Sequence, residues 1–91
     1  MEQKYRAERD RREGCLRRVL EMIRPHAASE PLFADICMEM AHRLDQECFH
    51  QLALEFSLLT EEAMLRVPDI PKSRLRRVRS MIADFRRLLG S

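Results

Sequence analysis

Tryptophan is absent from this chain, tyrosine occurs once and glycine only twice among its 91 residues. Each scarcity removes a class of function. With no tryptophan, a single tyrosine and phenylalanines at core-like spacing, there is no row of exposed rings on which unpaired bases could stack. Gly14 and Gly90 stand far apart and cannot build a glycine-rich phosphate loop. No apolar run approaches the roughly 20 residues that a bilayer-crossing helix needs. The N-terminus is a charged stretch without a signal-peptide core, so neither a membrane association nor an export address is expected. The cysteines Cys15, Cys37 and Cys48 are an odd set with no tight spacing, which fits the reducing cytoplasm or nucleus rather than a disulfide scaffold. The same lack of a Cys-x-x-Cys pair argues against zinc. Cys15, His26, Cys37, His42, Cys48 and His50 are scattered, and Cys48 and His50 would point to different sides of a helix, so no metal is expected. Cys37 and Cys48 read instead as small core residues.

Catalysis finds no footing either. No nucleophile and base are set by a motif, and a chain of this length can close a small core but not a roomy cleft. A noncatalytic binding module is the expectation, without cofactor or small-molecule ligand. What is abundant is Leu, Met, Ala, Arg and Glu, with few β-branched residues, a composition that favours helix throughout. The fold class is all-α, a bundle of four or five helices in one domain over residues 15–91, preceded by a charged arm over 1–14.

In that arm, helix-spaced pairs such as Glu2 with Arg6 and Glu8 with Arg12 each contribute only about 0.3 kcal/mol. With Tyr5 almost alone among charges, the arm reads as a solvated helical extension. Core-facing periodicity begins with Cys15, Leu16, Val19, Leu20 and Ile23, and Pro25 marks an end near Arg24. Ser29 before Pro31 is a candidate cap for a second helix whose apolar face is Leu32, Phe33, Ile36, Cys37, Met40, Ala41 and Leu44. Residues 31–59 could run as one helix, but that exceeds ordinary globular lengths, and a break near Asp45 is favoured, with Phe49, Leu52, Ala53, Phe56 and Leu59 inward on the following helix. Thr60, followed by Glu61 and Glu62, reads as the N-cap of a further short helix. Val67-Pro68-Asp69-Ile70-Pro71 is then a stiff turn, and the last helix, from about Pro71 to Gly90, buries Leu75, Val78, Ile82, Phe85 and Leu89. The methionines Met22, Met38, Met40, Met64 and Met81 suit either the core or an adaptable partner groove.

Charge is segregated along the chain. Residues 1–28 carry eight Lys or Arg against five acids, residues 29–59 one against six, and residues 60–91 eight against four. A basic-acidic-basic order can hold helices together, or it can leave a basic surface facing a polyanion. Lys72, Arg74, Arg76, Arg77 and Arg79 form the densest cluster, and they are the candidate contacts for DNA or RNA backbone or for an acidic protein surface.

The run Ala63-Met64-Leu65-Arg66-Val67-Pro68-Asp69-Ile70-Pro71-Lys72-Ser73-Arg74-Leu75, with Phe49-His50-Gln51-Leu52-Ala53 upstream, resembles HRDC domains, the helical modules appended to RecQ-type helicases and RNase D. The resemblance spans residues 49–89 and centres on a helix-hairpin-helix. It implies an accessory domain that helps an enzyme engage nucleic acid, with the five cations as its contacts. Asp69 and Pro71 stand where that family's turn usually has glycine. Asp69 would repel a phosphate and Pro71 has no N–H to offer one, so the resemblance supports the fold more than phosphate binding by the hairpin itself. The alternative is a helical docking domain of a larger assembly, its charges steering a complementary protein.

Overall fold

Apolar density decides the arrangement. In the computed structural model, residues 2–27 and 32–90 are described, with side chains over 4–26 and 32–90. Among them are four helices and no strand: α1 (Glu2–Ala27), α2 (Leu32–Gln46), α3 (His50–Leu65) and α4 (Lys72–Leu88). The chain is an all-α bundle, as its composition implies. The most apolar helix, α3, takes the centre and packs against each of the others, while α1 and α2 touch more sparsely. Leu52, Ala53, Phe56, Ser57, Leu59, Thr60, Ala63 and Met64 are all buried, and only the side carrying Gln51, Glu62 and Leu65 is exposed. Around it Leu20 of α1, Cys37, Ala41 and Leu44 of α2, and Val78, Ile82 and Phe85 of α4 close the core.

The expected helix start at Thr60 is overturned. Residues 50–65 form one unbroken helix, and the Thr60 hydroxyl donates back to the Phe56 carbonyl at 2.8 Å, as the Ser57 hydroxyl does to Ala53 at 2.7 Å. Both side chains are fully buried, and bonding to the carbonyl one turn back satisfies them without an outside partner. With no proline or glycine between residues 50 and 65, nothing competes with continuing the helix. Glu61 and Glu62 accordingly pair with Arg79 and Arg66 and do not cap a helix.

The break near Asp45 does occur, but Asp45 lies inside α2 and caps nothing. The amide of Phe49 donates to the Leu44 carbonyl at 2.8 Å and that of Cys48 to Asp45 at 3.0 Å, the doubled closure of a Schellman turn. Phe49 and Leu44, the two positions such a turn brings into apolar contact, are both buried. Cys48 takes the left-handed position with φ 65° and is exposed, against the expectation of a core site. That geometry strains any residue with a Cβ.

α1 runs through Pro25 to Ala27 and does not stop at Arg24. Proline's φ is already helical, but its ring takes away the amide that would bond the Glu21 carbonyl and crowds that oxygen, so the last turn of α1 carries this cost. The charged arm is simply the first half of this helix. Leu20 is buried and Leu16 and Ile23 half-buried, but Cys15 and Val19 of the expected stripe face solvent, as do Leu32 and Ile36 of α2 and Leu89 after α4. The proposed Ser29 cap lies outside the described residues.

Two outcomes follow from this packing. Replacing Cys48 by glycine relieves the left-handed strain, so urea or thermal unfolding of Cys48→Gly should show a gain of about 1 kcal/mol, roughly 4–8 °C in midpoint; a loss would mean the side chain itself holds the corner. Burial pushes the Cys37 thiol up to about 11, because its thiolate would sit in an apolar core. At about pH 8 a thiol reagent should therefore modify the exposed Cys15 and Cys48 in the folded chain and reach Cys37 only in denaturant. Prompt labelling of all three would contradict this packing.

Candidate functional site

Between Asp69 and Asp84 the sequence holds five cations and no acid, and all of them lie on or at the start of α4. The helix forms because its apolar residues recur at three- and four-residue spacing. Val78, Ile82 and Phe85 are buried and Leu75 half-buried, and this stripe fixes which way every arginine points. The turn before it places Asp69 in the left-handed region, φ 63°, at one of the two positions where the HRDC pattern has glycine. Pro71 precedes α4 in an extended conformation, and no side chain caps the helix.

The five candidate residues separate into two groups. Arg74 reaches across to α2 and pairs with Asp35, and Arg79 reaches across to α3, donating from Nε to Glu61 at 3.0 Å. They stand on opposite flanks of the buried stripe and tie α4 to its neighbours. Lys72, Arg76 and Arg77 are exposed and make no ion pair with any described residue. Arg76 and Arg77 share a shallow, open depression of about 510 Å³ with Ser73, Ser80, Met81 and Asp84. A second groove, of about 390 Å³, runs between α2 and α4 and is lined by Met38, His42, Ser73, Arg74 and Arg77. Further along, Arg87 pairs with Asp84 on its own helix.

The basic residues of α1 that face the body are engaged differently. Arg9 donates to the carbonyls of Glu47 at 3.2 Å and Cys48 at 2.8 Å, and its guanidinium lies 4.2 Å over the Phe49 ring. It thus puts a cation on the negative end of α2 and on an aromatic face together. Arg12 pairs with Glu47, and Arg17 with the half-buried Glu55 at 2.8 Å. The acidic middle segment is therefore clasped from one side by α1 and from another by Arg74. α1 keeps outward cations at Lys4, Arg6, Arg11 and Arg18, but Glu8, Asp10 and Glu13 are interleaved with them. No extensive contact joins α1 to α4, so the two basic helices do not pack into one shared basic layer.

Chemically the α4 surface offers exposed cations that can neutralise anions. No group of three or more His, Cys, Asp or Glu among the described residues could hold a metal. The Nδ1 of His50 lies 3.3 Å from the Asp45 carboxylate but outside hydrogen-bonding geometry, and its ring tilts against Phe85 at 6.5 Å, a packing role. No helix among the described residues is long and apolar enough to cross a membrane. Sequence reasoning missed Ser73, His42 and Asp35 at this surface. The first shows only that α4 places it one turn before Arg76 and Arg77; the other two sit 30 or more residues away in sequence and meet α4 only through the fold. In comparisons with family models, curated proteins and solved structures, nothing matches this chain.

Proposed function

We propose that this chain is a noncatalytic accessory module that binds nucleic-acid backbone weakly and without reading sequence, through the outward face of α4. The observation that carries this reading is the acid-free run of α4 on which Lys72, Arg76 and Arg77 stay exposed and unpaired among the described residues, while Arg74 and Arg79 are paired with Asp35 and Glu61. Unpaired surface guanidiniums attract phosphates by displacing condensed counterions, and they need no pocket to do so. The scarcity of exposed rings limits the contact to backbone. The resemblance of residues 49–89 to HRDC domains points the same way.

A second reading has its own support. Val19 and Met22 on α1 and Leu32 and Ile36 on α2 are between 42% and 72% exposed, more apolar surface than these two helices need to show if nothing docks there. A helical protein partner would cover it.

Binding of labelled single-stranded and duplex DNA and RNA, followed by fluorescence anisotropy, separates the two. Dissociation constants on the order of 10 µM at low salt are expected, with log affinity falling against log salt at a slope of about −3 on duplex DNA and about −2 on single strands if three cations engage phosphates. Arg76→Glu with Arg77→Glu should abolish binding and leave the unfolding midpoint unchanged, since neither residue bridges helices. No binding at low salt and high protein concentration would sink the nucleic-acid reading in favour of the apolar surface.

A further inference from the structure

Within that reading, on which this step rests, we infer that the α2/α4 groove is the seat of one backbone phosphodiester, and that in the free protein Asp35 holds one of its donors, Arg74. The groove gathers hydrogen-bond donors of different kinds from two helices. α4 supplies the Ser73 hydroxyl and the guanidiniums of Arg74 and Arg77; α2 supplies His42, with Met38 as an apolar floor. Ser73 and Arg77 are one helical turn apart and also line the outward depression that holds Arg76, so a strand lying along α4 passes from the open face into the groove without leaving cations. A phosphodiester is a compact oxyanion whose two charged oxygens accept from guanidiniums as a carboxylate's do, and whose further lone pairs can also take a hydroxyl donor.

The second element is the anion already paired with Arg74. Asp35, seven residues before His42 on α2, places its carboxylate on Arg74. Both side chains are about half exposed, so this is a surface ion pair in high dielectric that contributes little stability and is readily exchanged. Asp35 thus fills the phosphate's place on Arg74, and an incoming phosphodiester has to displace it. Weak binding is then a built-in property of the groove, set by one carboxylate on a neighbouring helix.

The experiment compares the full chain with Asp35→Asn, using the same labelled oligonucleotides. Glu62→Gln is the control, because it makes the same charge change at an exposed pair on α3, with Arg66, away from the groove. Asp35→Asn should bind about three- to five-fold tighter, the size of a surface pair no longer competing, against less than about two-fold for Glu62→Gln. Ser73→Ala, which alters no charge, should weaken binding by about two- to three-fold. If Arg76→Glu with Arg77→Glu abolishes binding but Asp35→Asn matches Glu62→Gln, the basic face stands and the groove inference falls. If neither the natural chain nor Asp35→Asn binds at low salt, both fall. An increase for Asp35→Asn on single strands alone, on duplexes alone or on both supports the groove and identifies which backbone fits it.

Discussion

Everything in this bundle is arranged to keep water off α3. Its buried residues cover more than half of the helix surface, and a helix of that kind has to be covered by several neighbours at once. α2 and α4 flank it as its direct sequence neighbours, one through a Schellman turn and the other through a proline-braced hairpin, and α1 covers what remains. The burial of Phe56, Leu52 and Met64 alone outweighs any surface pair, at about 1.5–3 kcal/mol each. Ser57 and Thr60 are compatible with this position only because each can bond to a carbonyl of its own helix. A hydroxyl that needed an outside partner there would leave a costly orphan.

Electrostatics works on top of that burial and adds ties between helices whose orientation the buried stripes already set. The acidic middle of the chain is met by Arg12 and Arg17 from α1 and by Arg74 from α4, which realises the attractive use of the basic-acidic-basic order. Individually these pairs are exposed or partly so, and each adds at most about 1 kcal/mol. Arg9 is different in kind. It satisfies two carbonyls at the α2–α3 corner and stacks on Phe49, so the charged first half of α1 is anchored at the corner where Cys48 is strained. An arm that reads as merely solvated is in part a brace.

Much of the fold was legible because period and punctuation agree. The buried stripe of α4, the inward face of α3 from Phe49 to Leu59 and the proline turn between them all follow from spacing. The misreadings share a cause. Thr60-Glu61-Glu62 carries an N-terminal signature, but a cap works only where a helix begins, and the apolar run before Thr60 was already helical. Cys15, Val19, Leu32 and Ile36 fit a core period, yet α1 and α2 touch each other only sparsely, so the outer edge of each stripe found no neighbour. At the candidate site, the dense cations were plain in the sequence. Which of them were free was not, because Asp35 and Glu61 become partners only when α2 and α3 lie beside α4.

That division of the arginines changes what charge reversal on this helix means. Arg74 and Arg79 stand on the flanks of the buried stripe, and reversing either one sets a glutamate against Asp35 or Glu61. Like charges at such distances repel within the bundle, so a loss of binding in those variants would mix weakened docking of α4 with a lost phosphate contact. Arg76 and Arg77 have no such partner among the described residues, and reversing them breaks no ion pair between helices. Salt acts on both groups together, loosening the interhelix pairs while it screens the free cations. Affinity and stability therefore have to be followed in the same titration. Only a fall in affinity at constant stability isolates the surface that α4 turns outward.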